Sequence, residues 1–305
     1  MTARLPSEPK PAPAPGGDRR AGAIRVALAQ IAPVLADRER NLPLHLAQIE
    51  AARRQEADLI VFPELSLTGY FVRDMVPDVA LARSAPEIQR LLDAAGPAAL
   101  VAGFVEESPQ HRFYNAAFYA EEGRLLFVHR KVYLPTYGLF DEQRYFASGE
   151  RLRAFDSPRF GRVGLMICED LWHLSAAGIM QAEEIDLLIW IANSPARGVG
   201  GRTIATAETY DHLTRAFAQL LGVVVILVNR VGFEDGLCFW GGSRVVGPDG
   251  RLLAQAPMLD ESLTLADVDL AELRRQRTIT PLARDERLLL TLEELHRIKR
   301  GHYDS

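Results

Sequence analysis

Four stretches of this 305-residue chain are apolar almost without a break: ADLIVF at 57–62, GLMIC at 164–168, IDLLIWI at 185–191 and VVVILV at 223–228. Such runs are too short for a helix buried on every side, and they read as strands covered on both faces. A strand of that kind needs one layer above it and another below. At this length the requirement means an α/β chain, in one large domain or two smaller ones.

The intervening segments fit that reading. Further strands are expected at 24–30, 98–104, 113–120, 124–130 and 161–167, and helices at 40–55, 84–95, 173–183 and 203–221. Ser84 and Glu87 have the spacing of a capping box for the second helix. Segments 113–120 and 124–130, joined through Glu121-Glu122-Gly123, read as a hairpin, as do 243–246 and 251–255 around Pro248-Asp249-Gly250. No repeat or linker divides residues 23–305, so they are expected to form one domain of sheets covered by helices, with 273–305 as a charged tail.

Residues 1–22, MTARLPSEPKPAPAPGGDRRAG, hold almost no large apolar side chain and are expected to be disordered. Arg19-Arg20 ahead of IRVALAQIAPVLA resembles an export signal, but Arg25 and Gln30 interrupt the apolar stretch, which serves better as a first strand. A net charge of −5 favours neither nucleic acid nor an anionic membrane as partner. Two cysteines make no disulfide framework, and no apolar run approaches the roughly 20 residues of a membrane span. The expected setting is cytoplasmic.

Chemistry gathers where the strands end. GLMIC delivers Cys168 and is followed at once by Glu169 and Asp170, carboxylates that would suppress a thiolate if they faced it. Neighbouring side chains of an extended segment point opposite ways, so they can face elsewhere. A cysteine there needs a cation and a base. Glu64 follows ADLIVF and Pro63 among apolar neighbours, where desolvation raises a carboxyl toward the range of a general base. Lys131 closes strand 124–130 and precedes the aromatic loop VYLPTYGLFDEQRYF. An acid, a cation and a thiol at strand ends is how α/β sheets build active sites.

These segments resemble the nitrilase, or carbon–nitrogen hydrolase, superfamily. The resemblance rests on Phe62-Pro63-Glu64-Leu65 with Thr68-Gly69-Tyr70, on Arg130-Lys131 with Leu134, and on Gly164 to Cys168 with Glu169-Asp170. Glu142 in FDEQRYF, NSPARG at 193–198, VNRVG at 228–232 and FWGGSRVVGPDG at 239–250 extend it over about residues 24–272. It implies a four-layer αββα sandwich, a Glu64–Lys131–Cys168 triad supported by Glu142, and homodimers or larger assemblies. Lys131 and the backbone N–H of Glu169 would hold an oxyanion, with Lys131 also making the thiol reactive.

Neither metal nor organic cofactor is implied, and the chain has no HExxH and no paired CxxC. The implied substrate is a small linear amide, an N-carbamoyl amine or a nitrile. CEDLW and KVYLPTYGLFDEQRYF are most similar to the glutaminase domain of glutamine-dependent NAD synthetases, which leaves open an ammonia-supplying subunit. A catalytically dead binding module is the contrasting class. Tyr70, Tyr137, Trp172, Asn193 and Trp240 are pocket candidates, and Arg197 or Arg202 could meet a substrate carboxylate.

Overall fold

Alternation along the first strand sets the layers. In β1 (Ala23–Gln30), Val26 and Leu28 face one side while Ala27 and Ala29 face the other, and all four are fully buried. The computed structural model describes residues 23–303 except residue 202, so the segment 1–22 expected to be disordered lies outside the described residues. After β1 come α1 (Arg38–Arg54), β2 (Leu59–Val61), α2 (Val76–Val79), α3 (Pro86–Ala95), β3 (Ala99–Glu107), β4 (Phe113–Glu121) and β5 (Arg124–Arg130). Beyond α4 (Glu142–Tyr145) lie β6 (Ala154–Ser157), β7 (Gly161–Ile167), α5 (Leu174–Ala182) and β8 (Leu187–Ala192). Short strands β9 (Val199–Gly200) and β10 (Thr203–Ile204) lead into α6 (Ala205–Leu221) and β11 (Val224–Asn229). The hairpin of β12 (Val231–Glu234) and β13 (Leu237–Trp240) precedes β14 (Arg244–Val246), β15 (Leu252–Gln255) and β16 (Ser262–Asp269).

Two six-stranded sheets result, in the orders β16-β1-β2-β3-β4-β5 and β15-β14-β11-β8-β7-β6. Each has a parallel trio inside, β1-β2-β3 and β11-β8-β7, flanked by antiparallel strands. Val26, Leu28, Leu59, Val61 and Val101 of the first sheet pack with Val163, Leu165, Ile189 and Ile226 of the second. On the outer face of the first sheet, Ala27, Ala29, Ile60 and Leu100 meet Leu42 and Ile49 of α1 and Ile88 and Leu91 of α3. Met180 of α5 and Phe217 and Leu221 of α6 cover the second sheet. The order of layers is α–β–β–α, as the resemblance implied.

Turn chemistry holds the β4–β5 hairpin. Glu122 and Gly123 have φ of 52° and 70°, the paired positive values of a tight hairpin turn, and Glu121 faces Arg124. Two local readings are corrected. The capping box does not form: α3 starts at Pro86, whose ring presets the first helical φ, with Ala85 as the cap, and Glu87 pairs instead with Arg38. Thr203 and Ile204 pair with β9 before α6 begins. The charged tail is helical, as α7 (Ala271–Ile279), α8 (Leu282–Asp285) and α9 (Leu288–Tyr303), in keeping with its Leu, Glu and Arg content. Arg277 ties α7 to the body through Asp186 Oδ1 at 2.8 Å. Among the described residues no helix is long and apolar enough to cross a membrane.

Candidate active site

The first sheet supplies the charges. After β2 the chain turns at Pro63-Glu64-Leu65, with Leu65 in the left-handed region at φ 44°. That turn lies flat on β3 because position 103 is glycine: a Cβ there would stand 2.3 Å from the Leu65 amide nitrogen. Glu64 is fully buried. Its Oε1 accepts from Lys131 Nζ at 2.8 Å and Asn115 Nδ2 at 2.7 Å, and its Oε2 accepts from the backbone N–H of Asn193 at 2.7 Å. Lys131, also fully buried, is fixed by its own N–H to the Asn115 carbonyl at 2.8 Å. Gly149 packs over this strand end, where a Cβ would come within 2.2 Å of the Arg130 carbonyl oxygen.

Lys131 Nζ also donates to Glu142 Oε1 at 2.6 Å, and the Tyr70 hydroxyl donates to the same oxygen at 2.5 Å. Burial works against the Lys131 charge, but Glu142 and Glu64 outweigh it and hold the ammonium well above its ordinary range. Burial pushes Glu142 up to about 7, against the pull of Lys131. Burial, with Glu142 and Glu64, holds Tyr70 protonated well above the usual range. Removing one partner from such a buried pair strands a charge, at a cost of about 3–5 kcal/mol.

The second sheet supplies the thiol. β7 ends at Ile167, and Cys168 opens a short 3-10 turn, Cys168–Trp172, with φ 44°. A positive φ is rare for a residue with a side chain and marks a turn held by its surroundings. Asp170 does much of the holding. Its buried carboxylate accepts from the backbone N–H groups of Ile167 (3.0 Å), Val132 (2.9 Å) and Tyr133 (3.0 Å) and from His129 Nε2 (2.8 Å). Burial opposes its ionisation, yet His129 and these amides keep it below the usual carboxylate range. The second acid behind the cysteine thus fastens the thiol turn to the residues on either side of Lys131.

Glu169 points the other way, half-buried toward the rim, and accepts from the Tyr137 hydroxyl at 3.0 and 3.1 Å. Burial pushes its carboxyl up. The Cys168 carbonyl accepts from Trp190 Nε1 at 2.9 Å, and its Sγ lies 3.6 Å from the Tyr210 hydroxyl. Burial, followed by the charge of Glu64, pushes the thiol well above its ordinary range despite Lys131. Lys131 favours ionisation of the thiol, though less than burial and Glu64 oppose it.

Glu64, Lys131, Glu142 and Cys168 come together at one end of the paired sheets, within electrostatic reach of one another. Of the pocket candidates, Tyr70 touches Glu142, while Tyr137 and Trp172 stand exposed at the rim. Arg197 lies over the Phe140 ring at 4.8 Å, beside the Tyr137-Gly138 loop. Asn193 is buried with neither side-chain Oδ1 nor Nδ2 partnered. Trp240 is core, donating to Ser194 Oγ at 3.1 Å, and Arg202 lies outside the described residues.

Sequence reasoning missed Asn115 and Tyr210 and gave Asp170 no partner. Asn115 left a signal, a lone amide inside the apolar strand FYNAAFYA; Tyr210 left none. Among the described residues no group of three or more His, Cys, Asp or Glu side chains is arranged for a metal ion.

Residues 25–278 match the family model described as carbon-nitrogen hydrolase. The glutamine-dependent NAD(+) synthetase of Acinetobacter baylyi is 30% identical over 258 residues, covering 85% of this chain and 46% of that one. The chain therefore spans under half the length of that relative. A carbon-nitrogen hydrolase from Helicobacter pylori G27 superposes with a TM-score of 0.80 at 25% identity, covering 90% of this chain and 98% of that one. An amidase from Nesterenkonia sp. gives 0.74 at 26% identity, over 92% and 98%. A variant of that amidase carries the acetamide moiety of fluoroacetamide covalently added at its active-site cysteine. The chain belongs to the carbon–nitrogen hydrolase family.

Proposed function

We propose that this carbon–nitrogen hydrolase converts a small linear amide to acid and ammonia through a thioester on Cys168, or an N-carbamoyl amine, through the matching thiocarbamate, to ammonia and a carbamic acid that breaks down to amine and carbon dioxide. The observation that carries the reading is the buried Glu64–Lys131–Glu142 cluster set against the thiol. Glu64 takes the thiol proton as sulfur forms its bond to the carbonyl carbon. The carbonyl oxygen becomes an oxyanion held by Lys131 Nζ and the backbone N–H of Glu169; one such donor is worth about 3–4 kcal/mol. Glu64 passes its proton to the nitrogen, the C–N bond breaks and ammonia leaves. Water then attacks the thioester, again giving a proton to Glu64, and the acid departs as sulfur recovers its proton. Glu142 keeps Lys131 charged and aimed throughout.

A second reading has its own support. Glu169, Tyr137 and Arg197 place an acid, a hydroxyl and a guanidinium around the rim beside Cys168, a set suited to the charged head of an α-amino acid. With NAD synthetases among the relatives, this favours a glutaminase that passes ammonia to a synthetase. The reading extends to a homodimer, since Leu174, Ile179 and Leu220 stand exposed on the outer helices α5 and α6.

Assaying ammonia release from aliphatic amides, N-carbamoyl amines, nitriles and L-glutamine tests both readings. Cys168→Ala is expected to cut turnover of the best substrate at least about a thousand-fold. Glutamine as that substrate selects the second reading, a nitrile rejects both, and release that survives in Cys168→Ala rejects the thiol mechanism.

A further inference from the structure

Tyr210 lies on α6, in the outermost layer, yet its hydroxyl reaches the thiol. Besides its 3.6 Å approach to Cys168 Sγ, the hydroxyl oxygen receives Trp172 Nε1 at 3.4 Å. An indole N–H can only donate, so the oxygen is the acceptor in that contact. Its own proton is left for the sulfur, which once ionised can only accept. The ring has little freedom to do otherwise. It is stacked on Trp190 at 4.6 Å and 25°, meets Trp172 and Trp240 edge-on at 5.6 Å each, and is 1% exposed. Trp190 meanwhile holds the Cys168 carbonyl. One aromatic cluster thus positions the cysteine backbone and presents a donor to its side chain.

We propose that Tyr210 is a further catalytic residue, whose hydroxyl donates to Cys168 Sγ and stabilises the thiolate both as it attacks and as it leaves the thioester. The proposal rests on the reading of Cys168 as nucleophile. The groups facing the sulfur are Glu64, Lys131 and Glu142 from the first sheet's side, Tyr70 and Tyr137 from the loops, and Tyr210 from α6. Glu64 and Glu142 oppose ionisation of the thiol; Lys131 and Tyr210 favour it. The proton of Tyr210 stays on oxygen, because burial, followed by the Cys168 charge, holds that hydroxyl well above its ordinary range. The thiol proton goes to Glu64, and Tyr210 solvates the charge left behind. This also gives Trp172 a task, that of orienting the hydroxyl.

Tyr210→Phe keeps the ring in its tryptophan surroundings and removes only the donor. In a full-length Cys238→Ala background, the pH dependence of iodoacetamide alkylation reports Cys168 alone and needs no knowledge of the substrate. Tyr210→Phe is expected to move the alkylation midpoint up by about one pH unit, and to slow single-turnover acylation about tenfold with little change in KM. Trp172→Phe is expected to shift the midpoint in the same direction by less, and serves if Tyr210→Phe does not fold. An unshifted midpoint in the folded variant overturns the proposal, even if turnover falls. Ammonia release that persists in Cys168→Ala overturns the underlying reading instead, so the two failures are distinct.

Discussion

The two sheets make unlike contributions to one site. From the first come a carboxylate, an amide and an ammonium, Glu64, Asn115 and Lys131, all fully buried and bonded to one another. From the second comes a single thiol on a left-handed turn, surrounded by Trp172, Trp190 and Tyr210. Both contributions sit on tight turns, with Leu65 and Cys168 each at φ 44°, but the charged groups are completely buried while the rim beside the thiol carries the exposed Tyr137 and Trp172. At the site, the Asn193 N–H to Glu64 and Asp170 to the residues flanking Lys131 bridge the two sheets. Registration of the Cys168 thiol against Glu64 is therefore a property of sheet-on-sheet packing as much as of either strand.

Emptying the charged half is the severest way to break that division. Lys131→Met keeps much of the apolar stem and removes the charge. Single-turnover acylation is expected to slow a hundred- to thousand-fold, with substrate binding affected far less. The alkylation midpoint of Cys168 moves to higher pH, since the cation opposing its neighbouring carboxylates is gone. Normal acylation in this variant would leave Lys131 a structural charge.

Loosening the bridge costs less. Asp170→Asn keeps one acceptor oxygen but sets an NH2 group against N–H donors, so the turn and the end of β5 lose a shared anchor. Acylation is expected to fall about tenfold, with lower thermal stability in keeping with the lost charge-assisted bonds. Unchanged rate with lowered stability would make Asp170 a folding residue alone.

The smallest effect sharpens the comparison through pH. Glu142 stands near 7 in the folded chain against an ordinary 4.5, so folding favours its protonated form. Its stabilising contribution is full below pH 4.5 and is lost as pH rises through about 7. Glu142→Gln cannot ionise, and its melting temperature should decline less over that interval than that of the unaltered chain. Parallel curves would show that Glu142 is not perturbed by its burial.

What could be read from the sequence follows the same division. The strands buried on both faces were legible because apolar runs announce them, and with them the strand-end positions of Glu64, Lys131 and Cys168. Glu142 was legible only through resemblance, since nothing in FDEQRYF says that its carboxylate reaches back to Lys131. Asp170 was visible beside the cysteine, but its four partners come from β7, β5 and the segment after it, which adjacency does not reveal. Tyr210 is brought to the sulfur by the packing of α6 on the second sheet, and helical spacing alone presents it as one more core aromatic. The Ser84 cap failed for a local reason: Pro86 fixes the helix start one residue too late for it.

The central claim is covalent, and mass spectrometry addresses it most directly. Rapid quenching during turnover of the best amide, followed by digestion, is expected to show the acyl group of that substrate on the peptide carrying Cys168 and none on Cys238. Turnover with neither cysteine acylated at any quench time, or an adduct on Cys238 alone, would contradict the account.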